Sequence, residues 1–150
     1  MYQRILVPVD GSETSKRALQ TAVALAAEES AKLHVVHVCE ERPVYVSMDT
    51  LPYPLADLRE ALHKEGEQVL AEAIASASEG SVKADGKLLV LDRADQRISD
   101  AVEQEAEAWR ADLIVVGTHG RRGFRRLLLG SVAEHLIRIA TRPVLLIRGG

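Results

Sequence analysis

At 150 residues the chain suits one domain with a sizeable core, and with 47% hydrophobic but only 3% aromatic residues that core has to be aliphatic. A net charge of −3 excludes a global field for nucleic acid, yet the charges divide unevenly: seven arginines and one acid from Gly117 onward, against 12 basic and 21 acidic residues before it. One cysteine, Cys39, excludes an intramolecular disulfide and predicts a reducing, cytoplasmic setting; no apolar run approaches the ~20 residues that span a bilayer, and the start MYQRILVPVD lacks a signal-peptide pattern.

RILVPVD (4–10) is a β-branched, apolar first strand ending in a turn. The helix after it places Ala18, Ala22, Leu25 and Ala26 on one face, with Ser12 as its expected N-cap and Ser15 and Lys16 in the first turn. KLHVVHV (32–38) is the second strand. Residues 40–54 hold three of the five prolines and predict a long surface loop, a candidate lid or interaction segment. Leu55, Leu58, Leu62, Val69, Ala73 and Ala77 then recur at helical spacing, and KLLVL (87–91) is a third strand.

Ile98, Ala101, Val102, Glu105 and Ala108 mark a third helix whose apolar stripe carries one acid. ADLIVVG (111–117) is an uninterrupted apolar strand, as expected where both sheet faces are covered. Val132, Leu136 and Ile139 share one face of a helix over 131–140, and PVLLIR (143–148) is the last strand, expected at a sheet edge. Strict alternation of strand and helix predicts one domain over 1–150, an α/β doubly wound parallel sheet with right-handed crossovers and helices on both faces. Ligands of such sheets bind beyond the carboxyl ends of the strands, where strand order reverses.

At one such end stands GTHGRRGFRRLLLGS (117–131). Glycines at both ends of this loop allow tight turns and close backbone approach, and Ser131 opens a helix whose free N–H groups and dipole favour an anion. The alternative is that Gly117 and Gly120 only turn the chain while Gly130 and Ser131 only start a helix. Neither the lysine-bearing P-loop nor the dinucleotide G-x-G-x-x-G is present.

The spacing G-T-H-G, nine residues, G-S resembles the G-x2-G-x9-G-S/T signature of ATP-binding universal stress proteins. ILVPVDGSETSKRAL, LHVVHV, ADLIVVGTHG and LLLGSVAEHLIRIATRPVLLIR extend the resemblance along essentially the whole chain. The architecture expected is a Rossmann-like five-stranded sheet in the order 3-2-1-4-5, with the first and fourth strands adjacent. By this resemblance Pro8, Val9 and Asp10 line the adenine and ribose side, and Val38 meets the adenine through its backbone. Val116, Gly117, His119 and Gly120 hold ribose and phosphates, and Gly130, Ser131 and Val132 cradle phosphates. The implied ligand is ATP, with or without Mg²⁺ bound through its phosphates, and the implied assembly is a homodimer through 143–148. Two departures are visible: Ala133, where members often carry Thr or Ser, and LDRADQRI after the third strand, where many have a glycine.

The function expected is an adenine-nucleotide-dependent regulatory or sensor module in a stress response, with at most slow ATP hydrolysis, since no general base, P-loop lysine or metal-binding carboxylate set is evident. The rivals are a dimeric scaffold that binds no nucleotide and a true phosphohydrolase. Asp10 could also cap the first turn, and His119 could be an exposed loop residue. Asp10, His119 and Ser131 lack the sequence surroundings of a hydrolytic triad. His34 and His37 fall on opposite strand faces, so no metal site is expected. Asp10 and Asp92 at strand ends suggest a phosphoacceptor receiver, but the acidic pair after the first strand and a lysine at the fifth are absent. Arg121, Arg122, Arg125 and Arg126 read equally as a phosphate clamp or a solvated basic loop, Phe124 among them gives thin support for a nucleic-acid surface, and Cys39 and Trp109 read as packing.

Overall fold

A computed structural model describes residues 1–41, 55–120 and 129–149. Nine elements alternate along the chain: β1 (Arg4–Pro8), α1 (Glu13–Glu29), β2 (Lys32–Glu40), α2 (Leu55–Ser78), β3 (Ala84–Leu91), α3 (Ile98–Ala108), β4 (Leu113–Gly117), α4 (Ser131–Ile139) and β5 (Val144–Ile147). The strands form one parallel sheet, as their alternation with helices predicts, in the order β3-β2-β1-β4-β5 that the family resemblance implies.

Burial on both faces explains the continuous apolar runs of β1 and β4. Ile5, Val7, Leu33, Val35, Leu113 and Val115 face α1 and α2, where Ala18, Ala22, Ala26, Ala73 and Ala77 let the helices lie close to the sheet. Leu6, Val36, Ile114 and Val116 face the other way, onto Val102 and Ala106 of α3 and Leu136 of α4. Ser12 caps α1 as expected, its side chain accepting from the Ser15 N–H at 3.2 Å.

Several boundaries differ from the expected ones for identifiable reasons. β1 ends at Pro8 rather than Asp10, because Asp10 turns back toward α1, although the Val9 N–H still donates to Val36 O at 2.8 Å. β4 begins at Leu113 because the Ala111 N–H is taken by Ala106 O at the end of α3 and the Asp112 carboxylate accepts from the Gln3 and Arg4 N–H groups. β3 begins three residues early, at Ala84: it pairs with Leu33–Glu40 on one side only, so an edge strand can carry the polar Asp85 and Lys87. The acid in the α3 stripe is also accounted for. Glu105 is buried, with Oε1 3.1 Å from His34 Nε2 and Oε2 accepting from Lys87 Nζ at 2.6 Å.

The expected loop over 40–54 falls, from residue 42, outside the described residues, as do the four arginines 121, 122, 125 and 126 and Phe124.

Candidate functional site

The site is built where β1 and β4 leave the sheet side by side. β1 has β2 on one flank and β4 on the other, so this is the point at which strand order reverses. Pro8 closes β1 half-buried, and Val9 beneath it is buried. Asp10 does cap the turn: its Oδ1 accepts from the Ser12 N–H at 2.9 Å, and its own N–H donates to Ser15 Oγ at 3.3 Å. Its other oxygen looks across the crevice. A Cβ placed on Gly120 would stand 2.8 Å from Asp10 Oδ2, so the loop after β4 meets the carboxylate face to face only because position 120 is glycine.

β4 delivers Val116, buried, and Gly117, whose missing side chain lets Thr14 of α1 approach; a Cβ there would lie 3.1 Å from the Thr14 backbone. Thr118 is buried, its N–H bonded to Ile147 O at 2.9 Å and its Oγ1 2.9 Å from His119 Nδ1. His119 Nε2 is buried with no hydrogen-bond partner among the described residues. A buried imidazole nitrogen left this way calls for a polar partner.

Gly130 closes the cradle. Its N–H donates to Thr118 O at 2.7 Å, and a Cβ there would be 2.9 Å from the same oxygen. As N-cap of α4 it is extended (φ −62°, ψ 151°) and offers no side-chain cap of its own to the first-turn N–H groups at Ser131, Val132 and Ala133. Ser131 is exposed, Val132 half-buried and Ala133 buried.

Of the predicted residues, Asp10, Gly120, His119 and Gly130 thus converge around Thr118, with Pro8, Val9, Val116, Gly117, Ser131 and Val132 adjoining them along the chain. Val38 sits further along the same sheet edge, in β2 next to the chain leaving β1, with Leu89 of β3 as its register partner on the other side. Thr118 carries no sequence signal of its own, although it lies inside the glycine motif and links Gly130 to His119. The LDRADQRI departure folds on itself at the far edge of the sheet, with Gln96 Oε1 accepting from the Asp92 and Arg93 N–H groups at 3.2 Å each. A separate surface hollow of about 300 Å³, lined by Arg93, Gln96, Arg97, Asp100 and Glu103, lies beside α3 and away from the crevice.

The competing constellations come apart. His119 pairs with Thr118, while Ser131 stands exposed at the start of α4. His34 stacks on Trp109 with ring centroids 4.8 Å apart, on the α3 face of the sheet, with Asp85 Oδ1 2.5 Å from its Nδ1. His37 points to the opposite face, its Nδ1 donating to Val9 O at 2.7 Å. Burial pushes the Cys39 thiol up to about 11, assisted by the charge and hydrogen bond of Glu41, so it stays a protonated, unreactive thiol at neutral pH.

The model of the universal stress protein family matches residues 1–148. The universal stress protein YxiE of Bacillus subtilis is 35% identical over 153 residues, covering 99% of this chain and all of that protein. Among solved structures, a universal stress protein in complex with cAMP is 30% identical at a TM-score of 0.70, covering 97% of each chain. The universal stress protein from Archaeoglobus fulgidus in complex with dAMP is 26% identical at a TM-score of 0.66, covering 97% of this chain and 98% of its own.

Proposed function

The chain belongs to the universal stress protein family, and from that premise we propose that it binds an adenine nucleotide in the crevice between β1 and β4 and works as a nucleotide-dependent regulatory or sensor module of a stress response. The observation that carries this reading is the cradle itself: Asp10 Oδ2 against Gly120, and Gly130 against Thr118 O, each at a separation a side chain would fill. The two family structures with cAMP and dAMP support an adenine nucleotide as the class of ligand. ATP is the specific ligand proposed, with or without Mg²⁺ through its phosphates.

Each residue has a task that fits its chemistry. Asp10 accepts from ribose hydroxyls and, being anionic, is unsuited to direct phosphate contact. Phosphate oxygens receive the first-turn N–H groups of α4, the Ser131 hydroxyl and the positive end of the helix dipole. His119 Nε2 supplies a further polar contact from a buried position. Ala133 is buried and contributes no hydroxyl. Without a P-loop lysine or a general base, hydrolysis would be slow and binding would act by shifting a conformational equilibrium. The whole chain acts as one domain in this reading. A reducing, cytoplasmic setting is supported by the single buried thiol, and no helix among the described residues is long and apolar enough to cross a membrane.

The test is a thermal-shift titration with ATP, ADP and AMP. Stabilisation should grow as RT ln(1 + [L]/Kd), and Gly130→Val should abolish it while also lowering the unliganded midpoint, since the added side chain starts 2.9 Å from the Thr118 backbone oxygen and the loop must shift. Absence of any shift at millimolar adenine nucleotide overturns the proposal in favour of a nucleotide-free dimeric scaffold.

A further inference from the structure

The β1–β2 ladder ends in an irregular way. Lys32 N–H bonds to Gln3 O and Leu33 N–H to Lys83 O, so the main chain of even-numbered β2 residues faces β1 and that of odd-numbered ones faces β3. The last rung runs from the Val9 N–H to Val36 O at 2.8 Å. In a parallel pair the next would run from the Val38 N–H to Val9 O. No such backbone bond is present among the described residues. The Val9 carbonyl accepts instead from His37 Nδ1 at 2.7 Å, which places the imidazole hydrogen on Nδ1. Among the described residues Val38 is left with an N–H and a C=O on the β1 side and no backbone partner for either there.

Two further contacts tie this arrangement to the site. The peptide between Val9 and Asp10 is held at both ends, its C=O by His37 and its N–H by Ser15 Oγ at 3.3 Å, so the imidazole helps to orient the residue that faces Gly120. Helix α2 also makes room for the ring. Mid-helix Gly66 sits directly over it, where a Cβ would lie 3.1 Å from His37 Cδ2 and 3.4 Å from Nε2. A glycine inside a helix costs about 1 kcal/mol relative to alanine, so its presence here accords with a side chain that needs that space.

We propose that His37 is a positioning residue for base selection: by taking the Val9 carbonyl it replaces the final β1–β2 rung and keeps the Val38 main chain open as a donor–acceptor pair for an adenine edge. This rests on the adenine-nucleotide reading above. Adenine offers an amino donor beside a ring acceptor, whereas guanine presents a carbonyl acceptor at the amino position, so an adjacent C=O and N–H favour the first over the second.

The experiment compares the wild-type protein with His37→Asn, whose amide nitrogen occupies the place of Nδ1, and His37→Leu, which has no donor. Amide exchange of Val38 is read by NMR without nucleotide, and AMP and GMP binding by calorimetry. The Val38 amide should exchange freely in the wild type and in His37→Asn and become protected in His37→Leu, where the rung can close. AMP affinity should fall roughly tenfold in His37→Leu, with loss of preference over GMP, and stay within about threefold in His37→Asn. A Val38 amide already protected in the wild type overturns the proposal, and so does a His37→Leu protein that keeps wild-type AMP affinity and preference. Should His37→Leu fail to fold, the wild-type exchange and the His37→Asn titration decide. Should the wild type bind no AMP, the adenine reading falls, and the exchange comparison still decides whether His37 replaces the rung.

Discussion

Gly120 separates folding from binding within one residue. Among the described residues a methyl group there would meet the end of a carboxylate, 2.8 Å away, and Gly120 has no positive φ, so the backbone tolerates alanine. Gly120→Ala should therefore keep the fold at a cost of about 1 kcal/mol, since moving the Asp10 carboxylate aside gives up its bond to the Ser12 N–H, while adenine-nucleotide affinity falls roughly tenfold. Calorimetric titration beside a urea melt checks both halves, and unchanged affinity would remove Asp10 from the site. His63 on α2 carries a contact whose contribution to stability depends on pH. Its hydrogen bond to Glu41, with Nδ1 2.6 Å from Oε1, raises its pKa against the opposing effect of desolvation, and the Glu41 and Glu67 charges add to the rise. A raised folded-state pKa stabilises fully below the unfolded value of about 6.5 and is lost as pH climbs through the higher folded value. Melting temperatures should thus decline from pH 6 to pH 8.5 more steeply in the wild type than in His63→Gln; parallel declines would show that the contact contributes nothing.

At the scale of elements, helix ends and strand edges were the features least visible in the sequence. Ser12 announces the start of α1 because an N-cap is a local residue preference, and the structure has it as N-cap. The end of the same helix is carried by Ser30 in the left-handed region (φ 56°), where a glycine is the usual signal. Ser30→Gly should raise stability by about 0.5–1 kcal/mol, because relief of the Cβ clash exceeds the added entropy of the unfolded chain. A higher urea midpoint at unchanged m-value is the expected reading, and a lower midpoint would mean that the serine side chain matters more than its backbone strain. The first residues of β3 escaped notice for a related reason. Apolar pattern reports burial, and Asp85 and Lys87 sit on an edge strand whose position is set by pairing with β2. β4 lies wholly within the expected 111–117 because burial on both faces leaves no polar interruption.

For the molecule as a whole, alternation of strand and helix was enough to read the parallel sheet, and the glycine motif together with the flanking blocks was enough to point at the end of β4. Contacts such as His37 with Val9, 28 residues apart, or Gly130 with Thr118, leave no local pattern and emerged only from the fold. The sheet has two edges, and they are built differently. β3 exposes Asp85 and Lys87, charges of the kind that discourage further strand pairing. β5 carries no charge from Val144 to Ile147, and Leu145 on it is 36% exposed. An uncharged apolar edge is best covered by a second copy of itself, since a two-fold axis lets the same strand serve both subunits. We therefore propose a homodimer through residues 143–148. Sedimentation equilibrium should return twice the 16.4 kDa chain mass. Leu145→Lys should shift the protein toward monomer without unfolding it, because a half-exposed side chain can carry its charge into water in the monomer but not against a partner strand. A wild-type monomer at micromolar concentration would overturn the pairing, whereas a dimer indifferent to the lysine would move the interface to another face.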